Sequence, residues 1–184
     1  METILETIGA ADVALLGLLA EGPKHAWDIT KAVEYRDMRS WTDLSRSTVY
    51  KQLRALESRG LVVGDEGVVA GRARRTYRLT PEGHRALVAG VAAHLRTPEY
   101  PHWAIDVATY NVDALPVEDA LAALDAYAAT LRERSEGWRA LIAFLRDELA
   151  CPPHRWALAD RALALIEGEL GWVARFRNDL AAAR

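Results

Sequence analysis

Between Ala11 and Ala20 (ADVALLGLLA) apolar side chains recur so that Val13, Leu16, Leu19 and Ala20 fall on one helical face. Gly22-Pro23 ends that helix, because proline cannot continue it and disfavours helical backbone at the residue before. A second helix is predicted over 25–35, with Ala26, Trp27, Ile29 and Val33 facing inward, followed by a loop over 37–44. Ser45, whose hydroxyl accepts a bond from an orphan backbone N–H, caps a third helix. The buried stripe of that helix is Val49, Leu53 and Leu56, and Gly60 closes its end. Leu61-Val62-Val63 reads as a short strand and 65–73 as a turn holding Gly67 and Gly71. Residues 75–79 alternate as a second strand, with Tyr77 and Leu79 on one side and Thr76, Arg78 and Thr80 on the other. Thr80 then caps a helix with Pro81 at its first position, running to Leu95.

Three helices, a hairpin and a fourth helix form the winged helix-turn-helix plan. Residues 97–115 are a transition with Pro98, Pro101 and a short helix over 103–110. A long helix follows over 116–149, with Leu121, Leu124, Ala128, Leu131, Trp138, Leu141 and Leu145 at helical spacing. Cys151-Pro152-Pro153 breaks it. The last helix, 154–181, carries Leu158, Ala162, Leu165, Trp172 and Phe176, and a second set, Ile166, Leu170, Val173 and Leu180, offset around it. So broad an apolar arc has more surface than one neighbour covers, which predicts packing both within the chain and against a second copy. The fold class is therefore mainly α with a small β-hairpin wing. A winged helix-turn-helix domain is expected over 1–95 and a coiled-coil-like helical dimerisation domain over 96–184.

Composition adds exclusions. Hydrophobic residues are 51% and charged residues 27% of the 184, as in ordinary globular proteins. No apolar run approaches the ~20 residues of a membrane span. Met1 to Glu6 carry acid and no base, unlike a secretory leader, and Cys151 is the single cysteine. A cytoplasmic protein without a membrane role is the expectation. The net charge of −3 hides a split: residues 1–95 carry +1, residues 96–184 carry −4, and the stretch 45–78 alone carries +5. That local excess points to a polyanion.

Two features supply the chemistry for such a partner. The exposed face of the third helix presents Arg46, Ser47, Thr48, Tyr50, Lys51 and Arg54, residue types that contact phosphates and base edges. Tyr50, Lys51, Ser47 and Thr48 are expected to face the groove, and Arg46 and Arg54 to hold phosphates. The hairpin tip, Gly71-Arg72-Ala73-Arg74-Arg75, adds Arg72, Arg74 and Arg75 as a second contact with phosphates or the minor groove. A dimer would place two such helices about one turn of duplex apart, ~34 Å.

These segments resemble the PadR family of bacterial transcriptional regulators. The resemblance runs from Ala14 to Leu87 and rests on LLGLLAEGP, HAWDI, STVYKQLRALESRGLV and GRARRTYRLTPEGHRAL. Two departures are Ala26-Trp27, where the family has a Gly-Tyr pair, and Ala73, where it often has proline. The C-terminal half is similar to the helical domain of one PadR subgroup, through Glu169-x-x-Trp172 and its layout. The resemblance implies an effector-responsive repressor that binds palindromic, double-stranded operator DNA as a homodimer. Leu16, Leu158, Leu165, Trp172 and Phe176 are then the expected dimerisation residues. The aromatic residues Tyr100, His102, Trp103 and Tyr110, with Trp138, Trp156 and Trp172 as further contributors, are the candidate lining of an effector pocket suited to planar apolar ligands, and the resemblance makes small aromatic compounds the expected effectors.

No cofactor or metal is implied. The five histidines include no pair at i, i+4, and no phosphate loop, nucleophile elbow or metal-ligand pair indicates an enzyme. Two alternatives use the same fold: a winged-helix adaptor for proteins, which would not need cations on both helix and wing, and a regulator of another family, such as MarR-like. The long C-terminal pair of helices without an N-terminal counterpart favours PadR.

Overall fold

A computed structural model describes residues 8–69 and 72–183, with side chains from 68 to 74 outside the description. The chain divides into two compact units, 1–100 and 101–184.

In the first unit the order is α1 (Ala10–Ala20), β1 (Lys24–His25), α2 (Ala26–Tyr35), α3 (Arg46–Ser58), β2 (Val62–Val69), β3 (Arg72–Leu79) and α4 (Pro81–Arg96). α1 is the central helix: α2, α3, α4 and β3 all pack around it. It therefore buries Leu15, Leu16, Leu18 and Leu19 rather than a single stripe, and Ala20, expected inward, is exposed. Ile29 and Val33 of α2, Val49, Leu53 and Leu56 of α3, Met38, Leu44, Val62, Tyr77 and Ala86 complete this core. Leu16 has no exposed surface. It belongs to this core and cannot touch a second chain, which corrects its assignment to a dimer contact. Trp27, expected inward, is 49% exposed with Lys31 Nζ over its ring; Thr30 takes the inward position instead. At 100° per residue, 26, 29, 30 and 33 share a face that 27 does not reach.

The wing is longer than its sequence suggests. β2 and β3 pair antiparallel from Val62↔Leu79 to Val69↔Arg72, so 65–69, expected in a turn, are strand. Cross-strand pairs such as Asp65–Arg78 and Glu66–Arg75 compensate for poor strand formers here. The expected turn residue Gly71 lies outside the described residues. β1, too short to show periodicity, adds a third strand on the other side of β3, giving the order β1-β3-β2. Gly60 follows α3 with φ +70, the left-handed conformation that turns the chain into β2 without a Cβ clash.

In the second unit α5 (Ala104–Tyr110) precedes α6 (Val117–Ala143) and α7 (Pro153–Ala182). The α6 pattern ends in one π turn, Phe144–Glu148, and Ala150 takes φ +47 before Pro152-Pro153 start α7. α6 and α7 form an antiparallel hairpin, as the ion pairs Asp125–Arg177 and Arg139–Glu167 require. Leu124, Ala128, Leu131 and Val173 are its buried centre, flanked by Tyr127, Ile166, Leu170, Trp172, Phe176 and Leu180.

Candidate nucleic-acid interface

α3 begins with a reciprocal cap. Thr48 N–H donates to Ser45 Oγ at 3.2 Å, and Ser45 N–H donates to Thr48 Oγ1 at 2.5 Å. This exchange satisfies two otherwise orphan donors and fixes where the first turn starts. The buried side of α3 is Val49, Leu53 and Leu56. A second anchor lies behind it: Asp12 of α1, almost fully buried, accepts from Arg59 Nη1 at 2.8 Å and Gln52 Nε2 at 3.3 Å. A nearly buried carboxylate needs such donors, so the pairing ties α3 to the central helix.

With that side fixed, the opposite side is determined by the helical period. Ser47, Tyr50, Lys51 and Arg54 are exposed and lie on it together, and Arg46, in the first turn, is exposed at its edge. Among the described residues none of Arg46, Lys51 and Arg54 is ion-paired, so their charge is available to an external anion. Thr48, expected beside them, is half-buried with its hydroxyl in the cap.

On the wing, Arg75 is held by carboxylates: Nη2 donates to Glu57 Oε1 at 2.6 Å and Nη1 to Glu66 Oε1 at 3.2 Å. The hydrogen bond to Glu57 raises its pKa further above the usual arginine range. Arg78 pairs with Asp65 at 2.7 Å. The side chains of Arg72 and Arg74 lie outside the description. His25 Nδ1 lies 3.1 Å from Thr76 Oγ1, tying β1 to β3 at the base of the wing. Neither Glu57 nor Asp12 was singled out in the sequence; on a helix their spacing is that of ordinary surface acids.

The other predicted site residues are scattered. In the first unit, Tyr100 is 87% exposed. In the second, Trp103, the N-cap of α5, and Tyr110, its last residue, are exposed, and Trp138 is half-buried on α6. A cavity of about 130 Å³ between α6 and α7 is lined by other residues, among them Asp125, Arg132, Leu170 and Arg177. Leu158 and Leu165 expose apolar surface on α7, whereas Trp172 and Phe176 are half-buried and stack with centroids 5.4 Å apart. Among the described residues no group of His, Cys, Asp and Glu could hold a metal ion, and no helix is long and apolar enough to cross a membrane.

Residues 15–89 match the Transcriptional regulator PadR-like family. A transcriptional regulator of Mycobacterium tuberculosis is 52% identical over 44 residues, 24% of this chain and 41% of the relative, so the match spans less than half of that protein. The fold matches that of Bacillus subtilis PadR solved with operator DNA (TM-score 0.77, 18% identity, 94% of this chain and 98% of that one). The same protein solved with p-coumaric acid matches at TM-score 0.77 and 18% identity, over 92% and 98%. The Vibrio cholerae virulence activator AphA matches at 0.66 and 17% identity, over 95% and 100%. These likenesses extend the shared fold across both units. Residues 15–89 of the chain thus resemble the PadR-like family of transcriptional regulators.

Proposed function

We propose that the protein is a repressor that binds a palindromic operator as a homodimer and leaves it when a small aromatic effector binds. The observation that carries this reading is the exposed, unpaired cationic face of α3, formed by Arg46, Lys51 and Arg54 with Ser47 and Tyr50 between them. A winged helix reads the major groove with the N-terminal part of this helix. Tyr50, Lys51 and Ser47 reach base edges, and Arg46 and Arg54 hold phosphates. Thr48 contributes by fixing the first turn, and Arg72 and Arg74 extend the grip from the wing. The first domain, 1–95, does the binding. The second, 96–184, pairs two chains through the apolar surface of α7 around Leu158 and Leu165, and sets the spacing of the two recognition helices.

The operator DNA and the p-coumaric acid bound by Bacillus subtilis PadR support the two partner classes. Tyr100, Trp103, Tyr110 and Trp138 are the candidate effector contacts. An effector releases DNA only by its differential affinity for the unbound arrangement. The role assigns no catalytic step and has the protein working in the cytoplasm. Fluorescence anisotropy with a duplex from the region upstream of its own gene, against a scrambled duplex and across a salt series, tests it. Tight, steeply salt-dependent binding well above the scrambled control is expected; equal, weak binding to both would favour a protein-interaction adaptor.

A further inference from the structure

One oxygen joins the recognition helix to both strands of the wing. Glu57 lies in the last turns of α3, and its Oε1 accepts from the backbone N–H of Gly64 in β2 at 2.9 Å. The same Oε1 accepts from Arg75 Nη2 in β3 at 2.6 Å. The space that this requires is built into β2. A Cβ on Gly64 would stand 2.3 Å from Arg75 Nε and 2.8 Å from Glu57 Oε1, so the guanidinium crosses the strand only because residue 64 has no side chain. The guanidinium also lies over the Tyr77 ring, 5.9 Å from its centroid, and Glu66, directly opposite in the ladder, holds its other nitrogen. A carboxylate near a helix C-terminus opposes the helix dipole, and beside a duplex it repels phosphates. Glu57 is thus badly placed for electrostatic attraction and well placed for joining three segments.

We propose that Glu57, Gly64 and Arg75 form a positioning clamp that fixes the wing against the recognition helix, and that Arg75 serves the clamp rather than holding a phosphate. This rests on the DNA-binding reading above. Helix and wing must meet one duplex together, and a wing held at the right angle before contact saves the cost of ordering it on binding. Two carboxylates already engage the Arg75 guanidinium, so the three side chains together carry a net charge of −1 and offer a phosphate no attraction.

The test uses full-length protein, with Glu57→Gln, Gly64→Ala and Arg75→Gln compared with wild type and with Lys51→Ala. Duplex binding is measured by anisotropy across a salt series, and amide hydrogen exchange of Gly64 is measured without DNA. Glu57→Gln is isosteric and keeps an uncharged acceptor oxygen, so it weakens both bonds by removing the charge that assists them, and an unchanged Tm shows that the fold is kept. Removing a negative charge should tighten DNA binding if charge alone mattered. The clamp instead predicts weakening in all three variants, by about threefold to tenfold, the size of one hydrogen bond lost or stripped of its charge. Their salt slopes stay at the wild-type value, and Gly64 exchanges faster in Glu57→Gln. Tighter binding by Glu57→Gln, or a slope for Arg75→Gln shallower by about 0.9, the loss of one phosphate contact, would overturn the proposal. So would unchanged exchange at Gly64. Failure of the DNA-binding reading shows separately, as a wild type whose binding neither depends on salt nor responds to Lys51→Ala.

Discussion

Gly83→Ala should destabilise the N-terminal unit, although the substitution improves helix propensity. Gly83 is the third residue of α4, and its N–H donates to the capping Thr80 Oγ1 at 2.9 Å. A Cβ placed there would stand 1.9 Å from the Leu61 carbonyl oxygen and 2.9 Å from the Leu61 carbonyl carbon. Both are backbone atoms, and that carbonyl already accepts from Thr80 N at 3.2 Å and Thr80 Oγ1 at 3.0 Å. Relief requires moving α4 away from the α3–β2 connection by about an ångström, which loosens these bonds. Overpacking of this kind costs about 1–3 kcal/mol and a disturbed N-cap about 1 kcal/mol, against about 1 kcal/mol gained by replacing glycine in a helix. The net expectation is a loss of about 2 kcal/mol, or a Tm lower by roughly 8–16 °C for a unit of this size. Gly17→Ala is the control in the same unit. Gly17 lies mid-helix in α1 with open space where its Cβ would go, so it should gain about 0.5–1 kcal/mol. Thermal unfolding of the full chain, followed by circular dichroism, reads both variants. A Gly83→Ala protein as stable as wild type would refute the close approach of α4 to Leu61.

Three further outcomes are expected. Lys51→Ala should weaken binding to all duplexes and lower the salt slope by about 0.9, read by the same anisotropy series; an unchanged slope removes Lys51 from the phosphate contacts. Burial, and then its 2.5 Å hydrogen bond to Glu169, push the Tyr127 phenol up to about 12. Because the folded pKa is raised, this pair stabilises the α6–α7 hairpin fully below the ordinary tyrosine range and loses its effect as pH rises through about 12. Titration of tyrosinate absorbance should therefore lose a high-pH step in Tyr127→Phe, with a stability cost of about 0.5–1.5 kcal/mol. Truncation after Tyr100, where the first unit ends, should give a monomer with much weaker operator binding; a stable dimer by light scattering would move the interface out of α6 and α7.

Much of the architecture is readable from the chain alone, because it follows from local rules. The caps Ser45 and Thr80, Pro81 at the start of α4 and the 3.6-residue stripes of α3, α6 and α7 state their conformation within a few residues. Once Val49, Leu53 and Leu56 are buried, the period alone turns Ser47, Tyr50, Lys51 and Arg54 outward, so the candidate interface was legible as a set. Other features depend on partners distant in sequence. β1 is two residues long and exists only because β3 presents a free edge to it. The extension of the wing through Gly67 depends on pairing with Arg74, which outweighs the turn preference of its composition. The sequence lists Leu16 and Leu158 alike as apolar helix positions; tertiary packing encloses one inside the first unit and leaves the other exposed on α7. Arg54 and Arg75 are the same residue type in the same basic stretch. Only the fold brings Glu57 within 2.6 Å of Arg75 and leaves Arg54 facing solvent, because whether a charge is free depends on what the chain folds against it.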